Sequence, residues 1–268
     1  MLLNVEENED VNLIINSFKE LLDREWNILG NKKHEATKEK VQDLFYKIKD
    51  LGIFQFLKEN SNIYSFLINE VIGQNLLPGI IATTAISRRD SPTTIGVKYV
   101  PEIDKAEFVI TPYGIAKVSD VEYIEVKSPD PSVKMYKIIS GKWEKKEDFN
   151  LILLNASSQV IGHGIYCLTK AIEYAKNRVA FGKPIGSYEA IKHKIVDDAI
   201  GLELARSRYL ANVGEPESVF EYSFKKSFKA ILDSIQVHGG IGFTTDLDLH
   251  LHLKRIIMIQ KILSPLIT

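Results

Sequence analysis

Tyr174-Ala175-Lys176-Asn177-Arg178-Val179-Ala180-Phe181-Gly182-Lys183-Pro184-Ile185-Gly186 and, further on, Gln236-Val237-His238-Gly239-Gly240-Ile241-Gly242-Phe243 are the segments on which the reading of this chain turns. Singly, each has an ordinary explanation. Gly182 with Pro184 beyond it reads as a helix stop, and Gly239-Gly240 as another, because glycine accepts left-handed backbone and proline cannot continue a helix. Around them the apolar residues recur at helical spacing. Leu151 to Ala180 reads as one long helix, and further helices fit Ile191–Asn212, Val219–His238 and Asp246–Leu263. Ala156, Ser157, Ser158, Gly162 and Gly164 are small enough for a neighbouring helix to come close, which predicts tight helix packing between subunits.

Working outward, Val11 to Ile86 shows the same helical period, for example Leu13, Ile14, Phe18, Leu21 and Leu22, with breaks at Gly30, Gly52 and Pro78-Gly79. Between Ser91 and Lys146 the texture changes. Short runs rich in Val, Ile, Tyr and Thr (Gly96–Val100, Phe108–Thr111, Val121–Val126, Met135–Ile139) are separated by prolines and glycines, the pattern of short strands. The expected fold is mainly α with a small β insert: an N-terminal helical domain over 1–90, a reduced antiparallel β domain over 91–146 and a C-terminal helical bundle over 147–268.

Lys and Arg number 34 against 35 Asp and Glu, a net charge of −1. Nucleic-acid and anionic-membrane partners usually require a basic excess, so neither is expected. Cys167 is the single cysteine, so the chain can form no internal disulfide. The acidic N-terminus lacks a basic leader, no apolar run approaches the ~20 residues of a membrane span, and the expectation is a cytoplasmic protein. Asp246, Asp248, His250 and His252 have the look of metal ligands. On a helix, however, residues two apart face nearly opposite sides, so they read as a polar helix face with no metal. His34, His163, His193 and His238 are isolated in sequence and suggest no triad.

Taken together, in this order on an α-β-α chain, the two opening segments resemble the acyl-CoA dehydrogenase signatures Y-x-x-x-R-x-x-F-G-x-P-I-G and Q-x-H-G-G-x-G-F. Ile191-Lys192-His193-Lys194 and the stretch Asp248 to Arg255 match as well, so the resemblance runs from Phe149 to Arg255. It implies an FAD-dependent enzyme that oxidises an acyl-CoA thioester to the 2,3-enoyl-CoA. A glutamate removes the α-proton while the β-hydrogen leaves as hydride to the flavin. The resemblance further implies that Arg178 meets the FAD pyrophosphate and that Phe181 packs on the ribityl-adenine arm. Gln236, Gly239 and Gly240 would approach the ADP moiety. In the family these segments reach across a dimer interface into the neighbouring subunit's flavin site.

The departures from the family are as informative. Ser264 and Ile152 stand where its two alternative catalytic glutamates would fall, leaving only Glu147 or Asp148 as nearby carboxylates. Asn150 and Leu153 replace an aspartate and an arginine that contact CoA. The T-E-P-x-x-G-S-D loop and the W-I-T strand have no counterpart beyond a faint echo at Arg88–Thr94. The resemblance therefore implies a short subunit, similar to those of steroid side-chain degradation. It would supply the trans half of a flavin site in a homo-oligomer or, in preference, a hetero-oligomer with a full-length acyl-CoA dehydrogenase. The family usually passes its electrons to an electron-transfer flavoprotein, so the resemblance admits one as a partner, although the sequence does not give the acceptor. The competing expectation is an oligomerisation or regulatory relic without flavin.

Overall fold

The computed structural model describes residues 9–145 and 148–263. The helical spacing before residue 90 resolves into α1 (Glu9–Glu25), α2 (Lys38–Asp50), α3 (Ile53–Glu59), α4 (Asn62–Gln74) and α5 (Gly79–Ile86). Phe18, Leu22, Leu44, Ile48, Phe54, Leu57, Ile68 and Ile72 turn inward to form one apolar core. The Thr37 hydroxyl caps α2 by accepting from the Lys40 N–H at 3.3 Å. Gly52, at φ 84°, makes the left-handed step from α2 into α3.

The β region forms two three-stranded sheets. One has the order β1 (Thr93–Ile95), β3 (Phe108–Thr111), β4 (Gly114–Lys117); the other has β2 (Tyr99–Pro101), β6 (Met135–Gly141), β5 (Val121–Val126). The expectation of a purely antiparallel insert needs correction, because β1 and β3 run parallel. The connection between them passes through β2 in the other sheet and a tight turn at Ile103–Lys105. That crossover is long enough to return the chain in its original direction. Val100, Ile103, Val109, Ala116, Val121 and Tyr136 fill the space between the sheets. The buried Glu102 carboxylate accepts the Ile80 N–H at 2.6 Å and pairs with Lys105, tying α5 to this region.

The C-terminal bundle consists of α6 (Phe149–Asn177), α7 (Glu189–Leu210), α8 (Pro216–His238) and α9 (Leu249–Leu263). Asp148 caps α6 through the Asn150 N–H at 3.1 Å. By length and composition α6 is able to cross a membrane, yet most of it is buried inside the protein, where it is the central core helix. Its small residues correct another expectation. A Cβ on Gly162 would lie 2.2 Å from the Glu70 carbonyl oxygen, one on Gly73 would lie 2.1 Å from that of Gln159, and one on Gly164 would lie 3.2 Å from the Ser227 Cα. The close approach is therefore made by α4 and α8 of the same chain, and the small-residue face is already filled before any subunit docks.

Buried polar groups fasten the same junction. Glu70 on α4 accepts from Arg206 Nε at 2.9 Å and from the Tyr209 hydroxyl at 2.6 Å, both on α7. On α6, Asn155 accepts from the Ser65 hydroxyl at 2.9 Å and donates to the Ile86 carbonyl at 3.0 Å. Gln159 donates to Asn69 Oδ1 at 2.7 Å and to the Ala82 carbonyl at 2.9 Å.

Candidate functional site

The helical reading to Ala180 runs three residues too far. Arg178 leaves the helix (φ −75°, ψ 117°), and its N–H closes the last turn on the Tyr174 carbonyl at 2.8 Å. The chain then forms a miniature hairpin, β7 (Val179–Ala180) against β8 (Lys183–Pro184). Phe181 and Gly182 at its tip have φ values of 51° and 81°. Positive φ at both central residues is the mark of a type I′ turn, whose twist suits a hairpin. Gly182 is thus a turn residue here and no helix cap.

The hairpin is braced from below. The Ile185 N–H donates to the Arg178 carbonyl at 2.8 Å, and the Tyr188 hydroxyl donates to the Ala180 carbonyl at 2.9 Å. The Lys183 ammonium sits 4.3 Å over the Tyr188 ring. The brace holds Phe181 out into solvent at 97% exposure.

The second segment ends α8. Gly239 (φ 63°, ψ −139°) turns the chain out of the helix into a tight turn over Gly239–Phe243. Gly242 folds back so closely that a Cβ would sit 2.3 Å from the Ile235 carbonyl, whereas Cβ positions on Gly239 and Gly240 meet nothing within 4 Å. Gln236 is exposed, and Phe243 is 78% exposed.

The two segments meet. The Tyr174 ring stacks on His238 with centroids 4.5 Å apart, over a small buried cluster of Ala171, Ala175 and Val237. Arg178, Phe181, Gln236, Gly239 and Gly240 consequently belong to one exposed end of the α6–α8 pair. The Arg178 guanidinium reaches solvent without an ion pair among the described residues. An unpaired arginine fork, bare glycine backbone and an uncovered aromatic ring suit phosphate oxygens and a flat organic partner.

Of the two positions expected for a catalytic glutamate, the structure describes Ile152 alone. Ile152 (4% exposed) and Leu153 lie inside an apolar cluster with Ile86, Ile95 and Met135. Asn150 is exposed in the first turn of α6, and Asp148 is spent on its cap. Ser264 and Glu147 lie outside the described residues. In the Arg88–Thr94 stretch, Arg88 binds Asn62 Oδ1 at 2.7 Å and the carbonyls of Leu57 and Asn60, a structural tie between α3 and α4.

One constellation escaped the sequence reading. His163 on α6 and His252 on α9 are both buried, with their Nδ1 atoms 2.8 Å apart. Tyr166 stacks on His252 at 4.3 Å and donates its hydroxyl to Asp248 at 2.9 Å. The polar-face reading of Asp246 to His252 therefore fails for His252. The helix begins only at Leu249, and His252 shares its inner stripe with Ile256 and Ile259, a spacing that was visible in the sequence. Burial, with the charges of Arg255 and Lys33 nearby, holds both imidazoles well below their usual pKa. Among the described residues no group of three or more metal-ligating side chains comes together.

The family model for the acyl-CoA dehydrogenase C-terminal domain matches residues 148–263, the region that carries both segments. This part of the chain belongs to the acyl-CoA dehydrogenase family. The acyl-CoA dehydrogenase IpdE2 of Mycolicibacterium smegmatis is 34% identical over 118 residues, 42% of this chain and 38% of that protein. IpdE2 of Mycobacterium tuberculosis is 33% identical over 141 residues, 48% of this chain and 44% of that protein. Each match covers less than half of the relative's length. Among solved structures, butyryl-CoA dehydrogenase from Megasphaera elsdenii aligns with a TM-score of 0.75 at 12% identity, covering 96% of this chain and 95% of that one. The ChsE4–ChsE5 complex from Mycobacterium tuberculosis aligns at 0.74 and 14% identity, covering 96% and 94%. The acyl-CoA dehydrogenase fold thus extends beyond the family match into the N-terminal helices and the β region.

Proposed function

We propose that this chain is a subunit of an FAD-dependent acyl-CoA dehydrogenase and supplies the half of a flavin site that reaches into a neighbouring subunit. The observation that carries the reading is Phe181, 97% exposed at the tip of a braced hairpin, beside an unpaired Arg178 and two glycines with open space above them. Such a surface offers groups that suit a dinucleotide, and Phe181 has none of the described residues covering it. Arg178 would hold the pyrophosphate, Phe181 would lie on the ribityl-adenine arm, and Gln236, Gly239 and Gly240 would meet the ADP portion. FAD, when bound, supplies the acceptor for the hydrogen that leaves the β-carbon of an acyl-CoA thioester.

The α-proton needs a base, and Ile152 cannot provide one. The partner is therefore an unlike, full-length acyl-CoA dehydrogenase that contributes the glutamate, and turnover belongs to the complex. The two-component name of the ChsE4–ChsE5 complex supports an unlike pair.

The test is Arg178→Ala in the purified complex, reading flavin absorbance per complex after gel filtration beside a thermal melt. Loss of a charge-assisted bond should weaken retention by ~1.5–3 kcal/mol without lowering the melt. Unchanged flavin in an FAD-bearing complex refutes the role of Arg178. A wild-type complex that never carries FAD replaces the whole reading with an oligomerisation relic.

A further inference from the structure

The Tyr174–His238 stack joins the two exposed segments above their shared apolar cluster, and nothing in the proposed flavin site accounts for it. Tyr174 lies in the last turn of α6, and its carbonyl accepts the Arg178 N–H at 2.8 Å, where the chain leaves the helix. His238 is the last residue of α8, immediately before Gly239 swings out at φ 63°. Its Nδ1 lies 2.7 Å from the Ser234 carbonyl and donates to it, which fixes the ring plane against the helix end. The apolar cluster beneath holds only Ala171, Ala175 and Val237 as buried members. Ile185, Ile191 and Ile195 pack against these three from the half-buried side, so everything in the cluster besides the Tyr174 ring is aliphatic. The ring pair is the contact there with a fixed mutual orientation, its planes 30° apart.

We infer that Tyr174 and His238 are positioning residues: their stack sets the register between the Arg178 hairpin and the Gly239–Gly240 turn, so that both reach one dinucleotide together. The inference rests on the flavin reading above and assigns the two residues no contact with the cofactor. If it holds, losing the ring separates the two halves of the site while each half stays folded. Tyr174→Phe keeps the stack and should keep wild-type behaviour. Tyr174→Leu should weaken flavin retention about 10-fold, close to the upper worth of an aromatic pair.

The deciding experiment is a double-mutant cycle on the complex, with FAD dissociation constants measured for wild type, Tyr174→Leu, Arg178→Ala and the double variant. Because Tyr174 acts through Arg178, the double variant should bind FAD no more weakly than about the worse single variant. A structural role alone would move the melting temperature and leave the two effects independent. Fully additive losses, or wild-type affinity in Tyr174→Leu, overturn the inference. So does a Tyr174→Phe variant as impaired as Tyr174→Leu. If Tyr174→Leu does not fold, His238→Leu breaks the same stack from α8 and is subject to the same outcomes. Failure of Arg178→Ala alone to affect FAD points instead to the flavin reading itself.

Discussion

His163 Nδ1 lies 2.8 Å from His252 Nδ1 inside the protein, so one ring donates and the other accepts, and the pair carries one proton between those atoms. Both rings are held neutral, their folded pKa values pushed well below 6.5 by burial. In the unfolded chain the same rings take up protons near pH 6.5. The unfolded state therefore binds more protons below that pH. Stability is whole above about pH 6.5 and is lost as pH falls from there toward the folded values, by up to ~1.4 kcal/mol per pH unit for each ring. Urea midpoints at neutral and mildly acidic pH should show this slope. A His163→Leu/His252→Phe double variant should show a shallower one, and identical slopes would sink the assignment.

Phe181 occupies a turn position where asparagine is the favoured residue, because Asn-Gly accepts the two positive φ angles of a type I′ turn most readily. A bulky residue held there costs about 1–2 kcal/mol. Phe181→Asn should accordingly leave the isolated chain as stable as the wild type or slightly more so. In the complex the same change should lower flavin content. A melting temperature clearly below wild type would mean that the ring has packing partners within this chain.

Glu70 and Arg206 form a buried ion pair joined by Tyr209. Glu70→Leu takes the nearer carboxylate from the buried Arg206, leaving Glu203 at 3.9 Å, and should destabilise the fold by up to the ~3–5 kcal/mol of a broken buried pair. The double change Glu70→Leu/Arg206→Met removes both charges and should recover most of that loss. Equal destabilisation of the single and double variants, measured by denaturant unfolding, would show that the pair acts through shape alone.

The chain on its own should turn over acyl-CoA substrates poorly, even with FAD and an artificial acceptor present. Absence of a positioned general base typically costs ~10²–10⁴ in rate. Turnover near ~10 per second from the isolated chain would reveal a base that Ile152 and its surroundings do not offer.

The α-β-α order and the long helices were legible because their apolar period is sustained over many turns. The site segments were legible as a motif, but not as a shape. Gly182 and Pro184 read as helix punctuation, since propensity does not separate a cap from a two-residue turn that needs the same φ. The parallel β1–β3 pair was hidden because strand direction depends on the path of the connection and not on strand composition. Small residues on α6 announced a close approach without saying whose helix would make it, and α4 supplied that helix from the same chain. The His163–His252 pair is separated by 89 positions, so only the apolar spacing around His252 hinted that the ring faces inward.

The contact between α4 and α6 also sets a schedule for synthesis. Ser65 bonds to Asn155, 90 residues further on, and the whole β region lies in the loop that this contact closes. At a translation rate of ~5–20 residues per second, α4 emerges roughly 5–20 s before the helix that covers it. During that interval Gly73 and the Glu70 carboxylate on α4 stay uncovered. The N-terminal helices therefore leave the ribosome as a waiting half, and the core closes only after α6 has followed.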